Sequence, residues 1–271
     1  MITTDPATGL PVIEFDGPRL LAKLPPVSEE RKKLTRFADA KTIVPRNEWV
    51  TINRRSHMTE GWLLDQRSHG SCVGFSSAAA LMRARALNGS ATVRLSGAFV
   101  YSWINGGRDA GAIITDALDV LRDKGTCPEE EAPWDAIYPN RYPESARKSA
   151  MRFRLLEAYT ADTFDEIGSA IQLGYIPIFA VQVGGTFVSI SSEGICGFDR
   201  GPGNHAVHAD GMSKLSRGWC LDMPNSWGKN FGQGGRGFVT EEHIDGVQQD
   251  CYVIRAAVED PQEPNSPPNP K

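Results

Sequence analysis

The sequence predicts an α+β fold, with helices in the first half of the chain and an antiparallel sheet or barrel in the second. Three observations predict it. Between residues 73 and 124, apolar side chains recur at helical spacing. From residue 176 onward they fall in short runs separated by glycine-rich turns. Those runs do not alternate with helical patterns, which argues against a parallel sheet.

Residues 1–44 show little periodicity, and Pro6, Pro11, Pro18, Pro25 and Pro26 interrupt any long element. Residues 28–40 read as one short helix, with Ser28 as its cap and Glu30 in its first turn. The stretch is either an extended arm wrapped on the domain or a short pro-segment covering a site. Its shortness and weak helical pattern favour the arm. Residues 44–55 read as a leading strand and residues 61–70 as a loop.

The stretch 65–80 organises the rest. Gly70 and Ser71 suit a loop, and a helix over 73–87 follows directly, rich in Ala, Leu, Met and Arg and free of Pro. Phe75, Ala79, Met82 and Ala86 fall on one stripe, and Asn88 and Gly89 form the stop. Cys72 then sits in the first turn of a buried helix. Unpaired N–H groups and the helix dipole favour its thiolate there.

Further helices are expected over 95–105, with Ser96 as cap, over 112–124, ending at Gly125, and over 144–155. A fourth covers 163–173, with a capping box of Thr163 and Glu166. Residues 127–143 form a packed irregular segment. Strands are expected over 176–183, 206–211, 218–221, 235–239 and 251–258. The last residues hold five prolines and few apolar groups, the composition of a disordered tail.

Composition narrows the function. Twenty-nine Lys and Arg stand against 33 Asp and Glu among 271 residues, a formal charge of −4 with no basic block. That balance excludes nucleic acid as the main partner. No run of 18 apolar residues would span a membrane, and residues 1–14 lack the pattern of a signal peptide. Five scattered cysteines, Cys72, Cys127, Cys196, Cys220 and Cys251, suggest free thiols in a reducing, cytoplasmic compartment. No CxxC or HExxH spacing occurs. His205 and His208 are joined only by Asp210. Neither a metal nor another cofactor is expected.

A nucleophilic cysteine needs a base and a group that orients the base. His205 stands at the start of an expected strand, 133 residues after Cys72. Asn225 follows Pro224 and precedes Ser226-Trp227-Gly228, 153 residues after Cys72. A helix-leading cysteine with His and Asn about 130–150 residues downstream is the papain-type spacing.

On these residues the chain resembles the papain-like cysteine peptidases, in a bacterial or phage-type form without the secreted members' disulfides. The resemblance rests on Gln66, on Gly70-Ser71-Cys72 with Phe75-Ser76, on Asn204-His205-Ala206-Val207 with Gly211, and on Asn225-Ser226-Trp227-Gly228. It covers residues 44–257. It implies a two-lobed fold: a helical lobe near 62–160 and a β lobe near 161–257, within a peptidase domain of 45–257. An arm or pro-segment over 1–44 and a tail over 258–271 flank it. It also implies a polypeptide substrate, Cys72 as nucleophile, His205 as base and acid, Asn225 as the ring's orienting partner, and Gln66 with the Cys72 N–H as oxyanion hole. Trp227 would shield the His–Asn contact. Gly111 and Ala112 would bind the substrate backbone, with Gly106 and Gly107 as competing choices.

Several residues depart from the family pattern. Val73 stands where a Trp usually follows the nucleophile. His69 takes the place of a disulfide-bonded Cys in the secreted members. Phe231 replaces a Trp, and Pro224 removes a backbone donor beside Asn225. His69 is expected in the loop at the cleft edge, His208 as a structural or substrate-lining residue, and Asp210 as a hydrogen-bonded strand residue. Two other functions are compatible with the same residues. One is an acyltransferase or cell-wall amide hydrolase with the same triad. The other is a binding module docked to a larger assembly through arm or tail, in a virion or host cytoplasm if phage-encoded.

Overall fold

The computed structural model describes residues 2–21, 29–55, 62–246 and 250–256. Ser28 and the residues 258–271 of the expected tail lie outside the described residues. The chain opens with three short antiparallel strands, β1 (Ile2–Thr4), β2 (Pro11–Glu14) and β3 (Pro18–Leu20), in the order β1-β2-β3. The sequence reading expected no element here. Strands of three or four residues are too short to display a period.

The single helix expected over 28–40 is instead a 3-10 turn at Glu29–Lys33 followed by α1 (Phe37–Ala40). The strand expected over 44–55 does not form. A 3-10 turn at Arg46–Glu48 and one bridge from Ile52 to Met212 take its place. Trp49 causes the difference, because its indole N–H donates to the Val44 carbonyl at 2.8 Å and folds the segment back on itself.

Four helices follow: α2 (Cys72–Leu87), α3 (Gly97–Ile104), α4 (Ile114–Asp123) and α5 (Glu144–Ala150). α2 does not bury one stripe. Every residue from Cys72 to Arg85 is buried, because α3 packs on one side and the sheet on the other. Gly74 allows the closest approach: a Cβ there would lie 2.4 Å from the Gly97 carbonyl oxygen. Ser96 caps α3 as expected, accepting the Phe99 N–H at 2.9 Å.

The second half holds β4 (Leu155–Thr160), α6 (Phe164–Gln172), β5 (Ile176–Val181), β6 (His205–His208), β7 (Gly211–Leu215), β8 (Gly218–Pro224), β9 (Arg236–Thr240), α7 (Glu241–Asp245) and β10 (Cys251–Ala256). The helix expected over 144–155 stops at Ala150, and Leu155 opens β4 instead. A four-stranded sheet runs β4-β10-β5-β6 and a three-stranded sheet β7-β8-β9, each with antiparallel pairs. The strand expected over 206–211 is two strands in two sheets. The chain changes partner at the corner, where Ala209 N–H donates to Pro177 O and Asp210 N–H to Asp222 O. α6 starts with the expected cap, Thr163 Oγ1 accepting Glu166 N–H at 3.2 Å. The Glu166 carboxylate does not close a capping box and pairs with Arg36 instead.

Two cores result. One surrounds α2, α3 and α4 with Phe75, Phe99, Leu118 and Phe153. The other lies under the sheets with Phe37, Phe164, Phe179, Trp227 and Val253. The α+β class and its antiparallel second half are as the sequence predicted.

Candidate active site

Cys72 is the first residue of α2 and fully buried. Ser71 makes no side-chain cap, and the first turn contains no acidic residue. The unpaired N–H groups and dipole of the helix start therefore stand beside this thiol without an acidic neighbour in the turn. None of the other four thiols opens a helix. Burial pushes Cys127 and Cys196 up to about 12 and Cys220 to about 11, and raises Cys251 further. Those four are protonated packing groups.

His205 opens β6, which packs against α2. Phe75 and Ser76, one turn beyond Cys72, line the same cavity wall as Ala206 and His208. The ladder fixes His205 opposite Val181. Its Nε2 lies 2.9 Å from Asn225 Oδ1, so the ring carries its proton on Nε2 when neutral. Nδ1 is then buried without a hydrogen-bond partner among the described residues. Burial pulls the His205 pKa down to about 4, and the hydrogen bond to Asn225 offsets only part of that. The Trp227 ring lies over the imidazole, 4.7 Å between centroids at 33°.

Asn225 directly follows β8. Pro224 ends that strand opposite Arg236, and Asn225 N–H donates to the Gly235 carbonyl at 2.9 Å. The missing donor of Pro224 therefore falls at the strand terminus, where it does no harm. Behind Asn225 lies a buried ion network. Arg236 pairs with Asp210 and, at 2.9 Å, with Asp222, while Arg83 of α2 reaches Asp210 at 3.0 Å. Asp210, expected as a hydrogen-bonded strand residue, is the hub that ties α2 to the sheet.

Gln66 is fully buried and bound to the asparagine segment. Its Oε1 accepts the Ser226 hydroxyl at 2.6 Å, and its backbone N–H donates to Ser226 O at 2.9 Å. Its Nε2 donates to His69 O at 2.8 Å and faces Leu20 O at 3.5 Å. Gly111 adopts φ +81°, and its N–H donates to the Tyr101 hydroxyl at 3.0 Å. Ala112 follows it, buried. Gly106 and Gly107, the competing pair, lie in the turn that follows α3. Asp109, in the same loop, had no signal in the sequence beyond a lone carboxylate among glycines.

The N-terminal strands lie against these residues. Leu10 Cδ1 would be 2.8 Å from a Cβ on Gly70, beside the Gly111 nitrogen. Arg19 pairs with Asp65 at 2.6 Å and donates to Trp227 O. Phe15 packs on Trp227 and Phe231 at 5.8 and 5.7 Å. Leu10, Val12 and Leu20 form a small apolar cluster of their own. Among the described residues no group of His, Cys, Asp and Glu is arranged to hold a metal, and no helix is long and apolar enough to cross a membrane.

Fold and site together define a cysteine peptidase built from a helical and a β lobe. The chain belongs to the papain family of cysteine proteases: the family model of that description matches residues 51–258. The fold is similar to that of xylellain, a cysteine protease from Xylella fastidiosa, with a TM-score of 0.71 and 22% identity over 86% of this chain and 95% of that one. The bromelain protease from Ananas comosus gives a TM-score of 0.62 and 21% identity over 78% of this chain and 99% of that one. A ragweed pollen cysteine protease in its proform gives 0.62 and 20% identity over 81% of this chain and 67% of that one. No curated protein sequence matches the chain significantly.

Proposed function

We propose that this peptidase cleaves polypeptides through a thioester at Cys72. The Cys72 thiolate attacks the scissile carbonyl carbon and a C–S bond forms. Gln66 Nε2 and the Cys72 N–H hold the oxyanion. His205, having taken the Cys72 thiol proton on Nδ1, gives that proton to the leaving amine as the C–N bond breaks. Water then attacks the thioester, passing a proton to His205, and the thiolate leaves. Asn225 holds the ring so that Nδ1 meets the thiol, and Trp227 keeps water from their contact. Gly111 and Ala112 align the substrate backbone. The observation that carries these roles is the His205 Nε2–Asn225 contact at 2.9 Å with Nδ1 unpartnered.

The strands β1–β3 act as a cover over this cleft. Leu10 at Gly70 and Gly111, and the Leu20 carbonyl facing Gln66 Nε2, support that role. A carbonyl at that nitrogen takes the donor an oxyanion needs.

A thiol-directed epoxide tests the catalytic roles. Selective alkylation of Cys72, lost in His205→Ala, is expected. An absence of Cys72 adduct, or equal labelling in His205→Ala, would overturn them. N-terminal sequencing of incubated protein, beside Cys72→Ala, reports whether the cover is cut.

A further inference from the structure

Asp109 stands where three separate pieces of the cleft meet. Its Oδ1 accepts the Gly70 N–H at 2.9 Å and the Tyr101 hydroxyl at 2.7 Å. Its Oδ2 lies 3.0 Å from His69 Nδ1. The Tyr101 oxygen, fully buried in α3, accepts in turn from Gly111 N–H at 3.0 Å. A continuous chain of hydrogen bonds thus runs from the loop before Cys72, through one carboxylate and one phenol, to the glycine segment. These bonds join the two loops directly to each other. Residues 106–111 contain three glycines with left-handed φ, at 106, 107 and 111, and so have little intrinsic stiffness. The loop at 66–71 must nevertheless present the helix start at a fixed distance from the bound backbone.

We propose that Asp109 is a positioning residue of the peptidase. Working with His69 and Tyr101, it clasps the nucleophile loop to the substrate-binding glycine segment and sets the distance between thiol and bound peptide. The clasp acts on substrate binding more than on the thiol itself. Gly111 holds a peptide equally in the ground and transition states, so loosening it raises KM and spares kcat. The inference rests on the assignment of Cys72 and of the glycine segment given above.

The phenol also explains an otherwise odd feature of the segment. Gly111 N–H points back into α3, so this glycine offers its carbonyl oxygen, not its N–H, to an extended substrate. Removing the phenol oxygen would release the N–H and let the segment turn.

Hydrogen exchange on the full chain in a Cys72→Ala background reads the clasp without any turnover. Asp109→Ala is expected to raise exchange in residues 66–71 and 106–112 together, Tyr101→Phe in 106–112 alone, and Asp109→Asn in neither, since Asn keeps Oδ1. In proteins with Cys72 intact, Asp109→Ala should raise KM for a peptide substrate about tenfold, the scale of a lost charge-assisted hydrogen bond, with kcat within about twofold. Asp109→Asn should recover most of it. Unchanged exchange in either segment, exchange rising throughout the molecule, or a loss confined to kcat would overturn the proposal. If the parent turns over no peptide, the exchange comparison still decides the clasp, and the catalytic assignment alone falls.

Discussion

Two three-stranded antiparallel sheets flank the cleft, and they are built in opposite ways. The β7-β8-β9 sheet has strands of five to seven residues, and β9 is buried along its whole length. Behind it Asp210, Asp222, Arg83 and Arg236 neutralise each other out of contact with water. The β1-β2-β3 sheet has strands of three or four residues. Val12 joins only Leu10 and Leu20, while its neighbour Ile13 reaches the core of the β lobe. It is tied further by a largely buried ion pair, two ring contacts and hydrogen bonds to Trp227, Gln66 and Asn230. A sheet of the first kind opens only when the protein unfolds. A sheet of the second kind has the small contact set of a locally opening unit. The first ends at Asn225, beside His205, and the second reaches Trp227 through Phe15 and Arg19.

The contrast can be broken most forcefully at Asp210. Asp210→Ala strips buried Arg83 of its carboxylate and leaves Arg236 with Asp222 alone, and a loss of about 3–5 kcal/mol is expected, read from urea unfolding. A loss below about 1 kcal/mol would mean that the network is not what makes this sheet permanent. At the other sheet, Leu10→Ala with Phe15→Ala removes contact area worth roughly 1.5–3 kcal/mol of closure. Alkylation of Cys72 by iodoacetamide should then accelerate at least about tenfold, while the global urea midpoint moves less than in Asp210→Ala. Equal rates in parent and variant would show that the cover does not limit access.

Acid sharpens the comparison further. His205 is depressed from 6.5 to about 4 by burial, so the folded state keeps it neutral. Its contribution is complete above pH 6.5 and is lost as pH falls from there toward 4, where the unfolded chain binds the extra proton. The slope of stability against pH in that window should be shallower in His205→Ala than in the parent. Loosening the cover with Leu10→Ala and Phe15→Ala should move the His205 titration, followed by NMR, upward as water reaches the ring. The smallest effect is expected at the exposed pair of Arg217 and Glu242, beside the permanent sheet. Glu242→Ala should change stability by less than about 0.5 kcal/mol, since exposed ion pairs are solvated and screened.

Residues whose chemistry dictates both type and spacing were legible in the sequence. Cys72 before a helix, His205 opening a strand and Asn225 before Trp227 each sit in a local pattern, and α2, α3, α4 and α6 announced themselves by periodicity or caps. What depended on distant partners was not legible. Leu10, Val12 and Leu20 are buried by the hairpin they form, not by any pattern along the chain. β4 is a strand because β10 lies beside it, although Leu155 extends an apparently helical run. Residues 44–55 have strand-like composition but find only one bridging partner at Ile52. Asp109 gains its three donors only when the loops before α2 and after α3 meet.

From Cys72 to Arg85, α2 has no outside. There it meets α3, α4 or the four-stranded sheet, and its arginines are buried with the rest. A scan of substitutions along it should therefore show no helical rhythm of tolerance. Replacing Ala78, Ala79 or Ala80 with anything larger should be felt on every face, and no position within the first three turns is free to carry a label or tag. Cys72 rides on a helix that selection can alter only by altering its neighbours at the same time.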